Sequence, residues 1–394
     1  MKIVYIHQYF RTPEEGGAIR SYYLATALAA QGHQVELICA YSGKKYRKRM
    51  VEGVLVHELP IPYNNRMGKW ARIKAFLKFV WMAFGRASRI PQADLYYVSS
   101  TPLTVGLIAL LLKKLYRKKY YFEARDLWPE VPIALGVIRG RLMQFFLRYL
   151  EKQIYIHAEK LIALSPGIRE GMLRQAPQKE VYLIPNLADC TFFNPQPYIS
   201  QKKISICGVM YDWGEGFLIT YFGSLGRANA LSSLVDIAAW FQENKMDGVQ
   251  FLIVGDGAEK EKLLQKMQNL QNICLIKTVN KYDLREILNL TDITYISFLN
   301  HPILETTSPN KFFDALAAGK LCVINFKGWL KDMVEQERCG FYANPEQPEV
   351  FYEKLNPFLQ NPALLREYQK NARKLAKSRF SKQLLVSDFI ELFN

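Results

Sequence analysis

The chain has 394 residues, is 49% apolar and carries a formal net charge of +16. That length suits two domains of ordinary size, and that composition excludes a disordered chain. The positive excess points to an anionic partner, either a membrane surface or a phosphorylated substrate; motifs of RNA-binding domains are missing from the sequence, so nucleic acid is set aside.

The opening MKIVYIHQYF reads as one lysine and then a short strand, not as the apolar core of a secretory leader. KIVYIHQ predicts the first strand, AIRSYYLATALAAQGH a helix ending near Gly32, and QVELICAY the next strand. From Leu59 to Phe122 the only acid is Asp94, against twelve bases that include Arg66, Lys69, Lys74, Lys78, Lys113 and Lys114. Within this stretch GKWARIKAFLKFVWMAFGR predicts a helix with Trp70, Ile73, Leu77, Val80 and Phe84 on one face and Lys69, Arg72, Lys74 and Lys78 beside it. The pattern suits a helix lying on an anionic membrane; a core helix with solvated lysines is the alternative. Leu95 to Leu112 is uncharged, but SSTPLT interrupts it. It reads as strand, loop and buried helix, since a membrane span needs about 20 residues.

DLYYVSS, KKYYFEAR and KLIALS continue the strands, each followed by a helical pattern. The alternation then restarts with FLITYFGS, ALSSLVDIAAWFQEN, VQFLIVGDG, NICLIK, ITYISFL and LCVINF. Two parallel α/β sheets in series are expected. Between them IPNLADCTFFNPQPYISQKKI loses periodicity, which puts a linker around Ala188 to Gln201. The expected organisation is a first domain over residues 1–188 and a second over 189–377. A final helix over 378–394 follows a break near Ser378 to Ser381 and packs back on the first domain. Ligands of open α/β sheets bind beyond the carboxyl ends of the strands, so the two domains should face each other across a cleft. Cys39, Cys190, Cys207, Cys274, Cys322 and Cys339 include no CxxC pair. They read as free thiols in a reducing cytoplasm, not as a zinc or dithiol site.

Several turns carry chemistry. Gly16 and Gly17 precede a helix with Arg20 in its first turn; FGSLGRANAL holds Gly223, Gly226 and Arg227; VGDG spans Val254 to Gly257 and includes Gly255. None of these is a dinucleotide or phosphate-loop motif. FEARDLWPE brackets a Trp–Pro pair with Arg125, Asp126 and Glu130. It is either a salt-bridged loop or a rigid loop offering charge to a polar ligand. In ETTSPNKFFDALAAGK, Ser308 is expected to cap a helix, Pro309 to open it and Gly319 to end it. Lys311 and the first-turn N–H groups then face whatever lies ahead of the helix, and such a terminus attracts phosphates.

In order, GGAIR, RDLWPE, IPNLAD, FGSLGRANAL, LIVGDG and SPNKFFDALAAGK resemble the family-4 retaining glycosyltransferases of GT-B fold. RDLWPE followed by SPNK is most similar to bacterial amino-sugar transferases of surface polysaccharides, such as the N-acetylfucosamine transferase group. The resemblance implies two Rossmann-like domains and a nucleotide-diphosphate sugar, uridine-linked first of all, as donor. Its diphosphate would meet the helix from Pro309, with Ser308, Asn310 and Lys311 around it and Gly16, Gly17, Gly223, Gly255 and Arg227 near by. Asp314 would take the nucleotide ribose, and Thr278 to Tyr282 would bracket the base. Relatives place a glutamate eight residues before the Asp314 position; here Thr306 stands there, and Glu305 beside it is expected to serve in its place from a shifted backbone. Where many relatives carry Arg and Lys after the first strand of the second domain, this chain has Ser224 and Asn229. Arg125 replaces a histidine.

Glycosyl transfer builds negative charge on the departing diphosphate, which a fixed cation and a helix terminus stabilise. The chain contains no DxD pair. Lys311, Arg227 and backbone N–H groups are therefore expected to do the work of a metal, and no cofactor is expected. Asp126 is the candidate to orient or deprotonate the acceptor hydroxyl, with His7 and His301 as rivals; His33, His57 and His157 sit in element-like contexts. The acceptor is expected to be a saccharide or lipid-linked, at the inner face of the plasma membrane, with Trp70, Lys74, Lys78, Lys113 and Lys114 on the membrane side. The alternatives are a GT-B epimerase or phosphorylase, and a non-catalytic basic membrane-associated binding protein.

Overall fold

A computed structural model describes residues 1–63, 67–197, 199–206 and 208–394. Arg66, Cys207 and the Lys69 side chain, named above, lie outside that description.

The first half alternates strand and helix: β1 (Lys2–Ile6), α1 (Arg20–Ala30), β2 (Gln34–Tyr41), β3 (Arg47–Val51), β4 (Val54–Pro60), α2 (Lys69–Ala87), β5 (Leu95–Ser99), α3 (Thr104–Tyr116), β6 (Tyr120–Ala124), α4 (Glu130–Ala134), α5 (Arg141–His157), β7 (Lys160–Ala163), α6 (Pro166–Gln175) and β8 (Val181–Leu183). These strands form one sheet in the order β3-β4-β2-β1-β5-β6-β7-β8. All its neighbours are parallel except β3 and β4. That hairpin was not read from the sequence: RKRMV is charged and mostly exposed, so it lacks the apolar run that marks a strand.

A small antiparallel pair, β9 (Lys203–Ile206) and β10 (Val209–Asp212), leads into the second half. There follow β11 (Phe217–Ser224), α7 (Ser232–Glu243), β12 (Val249–Asp256), α8 (Lys260–Lys266), β13 (Ile273–Ile276), α9 (Lys281–Leu290), β14 (Ile293–Ile296), α10 (Asn310–Ala317), β15 (Leu321–Ile324), α11 (Trp329–Gln336), β16 (Gly340–Tyr342), α12 (Pro348–Gln360), α13 (Pro362–Arg379) and α14 (Lys382–Glu391). The second sheet runs β13-β12-β11-β14-β15-β16, all parallel. Its order reverses between β11 and β14, the point where open sheets leave a crevice.

Apolar side chains alternate along the strands, so each sheet is covered on both faces. Val4, Ile6, Val98 and Phe122 pack under α2, α3, α5 and α6. On the opposite face Ile3, Tyr5 and Leu37 join a buried cluster that runs on to Phe222, Phe312 and Phe313 of the second half. The chain end ties the halves together. Phe389 of α14 meets Tyr97 of β5 edge-on at 5.1 Å, and the Lys160 ammonium donates to the Leu392 carbonyl at 2.7 Å. No helix among the described residues is long and apolar enough to cross a membrane.

Candidate functional site

A cavity of about 790 Å³ opens between the carboxyl ends of the two sheets. Gly16, Gly17, Tyr9, Arg11 and Tyr63 line it from the first sheet; Gly223, Gly255, Val279, Lys281, Lys311 and Asp314 line it from the second. A larger cavity, of about 920 Å³, lies at the other end of the second sheet around Gly248, Asp292 and Lys320, and none of the glycine turns reaches it.

The floor is the start of α10. Ser308 does not cap this helix as expected: Pro309 holds the cap position without a side-chain hydrogen bond. Ser308 instead presents its carbonyl to the Asn186 amide at 2.5 Å, while its buried hydroxyl has no partner among the described residues. Pro309, Asn310 and Lys311 line the cavity, so the uncapped N–H groups of the first turn border it. Gly319 ends the helix region with a φ of +63°, as a residue beyond a helix end requires.

Lys311 reaches back over β11. Its ammonium donates to the Tyr221 hydroxyl at 2.8 Å and to Asn229 Oδ1 at 2.9 Å, and stands 4.2 Å from the Tyr221 ring centre. Gly223 makes this possible: with a φ of +141° its place for a Cβ lies 3.3 Å from the lysine stem. The side chain thus delivers a cation onto Asn229. Burial among neutral groups pushes the Lys311 ammonium down to about 7. Among the described residues no carboxylate lies in ion-pair reach of it.

The Gly16 turn comes from the other domain. A Cβ on Gly16 would stand 2.8 Å from the Val279 carbonyl, and the Lys281 N–H donates to the Pro13 carbonyl at 3.3 Å. The Thr278–Tyr282 loop and the VGDG turn therefore meet the glycine turn around one space. Asp314 is less open than expected. Lys281 holds its carboxylate at 2.5 Å, and both are buried. Burial still pushes the Asp314 carboxyl above its ordinary value against the pull of Lys281.

Other expected residues lie elsewhere. Arg125 is turned inward, donating to Ser99 Oγ at 2.9 Å, Glu123 Oε1 at 3.1 Å and Ser21 Oγ at 2.7 Å. Arg20 closes the same network on Glu123 and on the Ile184 carbonyl, both at 2.9 Å. Burial opposes the charge of Glu123, but the two guanidiniums outweigh it and hold the carboxyl far below its ordinary range. This is the salt-bridged reading of the RDLWPE loop. Neither Arg125 nor Asp126 is among the cavity-lining residues. Burial raises the Asp126 carboxyl, against the nearby Arg125.

Glu305 packs its backbone under Gly328 and is felt electrically at Tyr342, away from the cavity. Thr306 seats its methyl against Gly167 of α6, and Ser165 donates to its carbonyl, so it joins the domains instead of lining the cavity. Arg227 is exposed on the short turn 227–229 and does not line the cavity. His7 is buried at 2.6 Å from Ser21 Oγ, its imidazole pushed well below the ordinary value by burial. His301 accepts from the Ile303 N–H at 3.2 Å and serves as a local cap. Among the described residues no group of three or more His, Cys, Asp or Glu is placed to hold a metal ion.

The expected face of α2 also divides. Val80 is buried and Phe84 rests on Tyr116 at 6.1 Å, whereas Trp70, Ile73 and Leu77 are exposed together with Trp81. Lys74 is exposed, and Lys78 donates to the Pro60 carbonyl at 3.1 Å. Lys113 and Lys114 sit at the last turn of α3, the end away from the cavity, and Lys113 is paired with Glu159 at 2.6 Å.

Sequence reasoning missed Tyr9, Arg11 and Tyr63 on the first domain, Tyr221 on the second, and the pairing of Lys281, already placed in the base-bracketing loop, with Asp314. Tyr9 and Arg11 follow β1 directly, so the strand-end rule could have found them. Lys281 carried no local signal, because its partner lies 33 residues away.

Residues 15–186 match the model of the glycosyl transferase 4-like domain, and residues 213–375 that of the glycosyl transferases group 1. None of the curated proteins matches the chain in sequence. Among solved structures, sucrose-phosphate synthase (tll1590) from Thermosynechococcus elongatus is similar with a TM-score of 0.74 at 17% identity, over 100% of this chain and 98% of its own. Alr3699/HepE of Anabaena, solved with UDP and glucose, gives 0.69 at 15% identity, over 100% and 99%. WaaG, a glycosyltransferase involved in lipopolysaccharide biosynthesis, gives 0.66 at 16%, over 98% of both chains. At these identities the likeness to the solved structures is one of fold. The two matched domains take up most of the chain; the first holds all but β1 of one sheet that frames the cavity, and the second holds the other sheet. The chain belongs to the GT-B glycosyltransferases, joining a glycosyl transferase 4-like domain to a group 1 domain.

Proposed function

We propose that the chain moves a sugar from a nucleoside-diphosphate sugar, UDP-linked, to a saccharide or lipid-linked acceptor in bacterial surface-polysaccharide synthesis. The transfer proceeds with retention and without a metal, and an N-acetylated amino sugar is the favoured donor. The observation that carries the reading is the uncapped start of α10 with the half-neutralised Lys311 ammonium beside it, facing Gly16 and Gly17 across the cavity. An anion is what such a place lacks. A diphosphate there would accept from the first-turn N–H groups and draw a full proton onto Lys311. As the bond to the sugar lengthens, charge grows on the diphosphate and these donors grip it harder. The HepE structure with UDP and glucose supports the uridine assignment, and WaaG supports the surface-polysaccharide role; the amino sugar and the retention rest on the motif resemblance. The enzyme works at the inner face of the plasma membrane.

Thermal unfolding with a panel of nucleoside diphosphates, in EDTA, tests the donor. UDP at 100 times its dissociation constant should add about 2.7 kcal/mol of stability. No shift with any nucleotide would sink the reading, and a shift only after adding a divalent ion would remove its metal-free part.

A further inference from the structure

Soluble proteins rarely leave several large apolar side chains exposed together. This chain does so on two helices of one layer, α2 and α5, which flank α3. On α2, Trp70 and Trp81 are each 80% exposed, with Ile73 and Leu77 between them at helical spacing. On α5, Leu142 is 70% and Phe145 65% exposed, and Met143, Phe146 and Tyr149 join them. The second half of α5 is packed instead, with Glu151, Ile154 and Tyr155 buried. The first two turns of α5 therefore project from the helical layer. Between α2 and α5 lies α3, which presents the partly covered Leu107 and Leu111 outward.

The charges around this face are of one sign. Lys74, Arg139, Arg141 and Lys152 are exposed beside the apolar residues. The acids of the same stretch are spent elsewhere: Glu130 pairs with Arg148 at 2.7 Å, and Glu151 points inward to Tyr155 at 2.9 Å. The position is telling too. Both α2 and α5 begin at the carboxyl ends of strands, and their exposed residues fall mainly on the halves nearest those ends. Tyr63 ahead of α2 stacks on Phe76 at 5.8 Å and meets the Tyr9 ring at a tilt at 4.9 Å, and both tyrosines line the cavity. An aromatic path leads from the face to the site.

We infer that the outer face of α2 and α5 docks on an anionic lipid bilayer, with Trp70, Trp81, Phe145 and Phe146 entering the headgroup boundary and the flanking bases meeting lipid phosphates. An apolar wedge rimmed by bases is what such a boundary binds. Docked this way, the enzyme holds its cavity mouth at the lipid surface, where a lipid-linked acceptor would enter past Tyr63. That last consequence rests on the transferase reading; the docking itself does not.

The test is co-sedimentation of the full chain with vesicles of phosphatidylcholine, with and without phosphatidylglycerol. The wild type should bind the anionic vesicles, with a blue shift of tryptophan emission. The double variant Phe145→Ser/Phe146→Ser should lose about ten-fold or more in partitioning, and so should Trp70→Ser/Trp81→Ser. All four positions are exposed, so the variants should fold, and their stabilisation by UDP, measured in parallel, should equal that of the wild type. Wild-type partitioning by the Phe145/Phe146 variant, or no binding to anionic vesicles, overturns the proposal. So does a lipid-free dimer that this variant turns into monomer, since the face would then belong to a second copy. UDP protection lost while vesicle binding persists would remove the transferase reading and leave the docking face standing.

Discussion

The carboxyl ends of the two sheets treat buried charge in opposite ways. In the first domain Glu123 is fully buried and satisfied: Arg20, Arg125, Ser99 and Tyr97 all donate to it. In the second domain the Lys311 ammonium meets a tyrosine hydroxyl, an amide oxygen and an aromatic ring, all neutral. A charge with its counter-charge in place is a strut. A charge held by dipoles alone has part of its electrostatic need unmet, and a ligand can meet it. The contrast explains why RDLWPE, although rich in charge, forms framework, while the plainer SPNK borders the cavity.

The contrast is broken most severely by removing the strut. Glu123→Gln leaves the buried Arg20 guanidinium and the partly buried Arg125 guanidinium without their anion, and Arg20 also holds the Ile184 carbonyl ahead of the crossover. The expected loss is about 3–5 kcal/mol in chemical denaturation; a loss below about 1 kcal/mol would mean that the network is ornamental. Lys311→Ala should do the reverse. It removes a costly, partly buried cation, so stability should hold. Turnover should fall roughly 10²–10³-fold, the scale of one lost transition-state donor. Near-wild-type rates at saturating donor would return Lys311 to the framework.

Much of this was legible beforehand, and the gaps have physical causes. Strand–helix alternation is a local, periodic signal, so KIVYI, LYYVS and FLITYFGS stand where their patterns put them. The helix break at Phe380 was readable from SRFS, because Ser381 caps α14 by accepting from the Leu384 N–H. The turns that meet at the cavity could be listed from strand ends. What each side chain does there could not. Arg125 and Asp314 were read as ligand groups, and each proved to have a partner far along the chain, Ser21 for one and Lys281 for the other. A partner of that kind leaves no mark in local spacing. On α2 the hydrophobic period was right, but it could not say which side the sheet would cover.

Titration sharpens the comparison further. Lys311 titrates near pH 7 without ligand, and a bound diphosphate would raise that value. Below pH 7 the ammonium is already charged and binding needs no proton. Above pH 7 each diphosphate bound takes up a proton, so affinity should fall with rising pH, by at most about ten-fold per unit. Calorimetry in two buffers of different ionisation enthalpy reads that uptake directly. In the ligand-free protein the sign is the reverse. The folded value lies below the unfolded one, so Lys311 costs stability at low pH, and stability climbs as pH rises from about 7 toward the ordinary lysine value near 10.4. Lys311→Ala should abolish both slopes. A slope that survived would move the titration to another group.

The smallest effect is expected at Arg227. The residue is charged, lies in the turn after β11 and stands three positions before Ala230, yet it is exposed and does not line the cavity. Electrostatics alone would still let it help, but an exposed charge is screened over about 8–10 Å at physiological salt. Arg227→Ala should therefore change nucleotide affinity by no more than about two-fold, and stability by less than about 0.5 kcal/mol. A loss of ten-fold or more would show that the 227–229 turn folds onto the bound diphosphate. The positive charge at the site would then be assembled by ligand closure, and Lys311 would be its resting half.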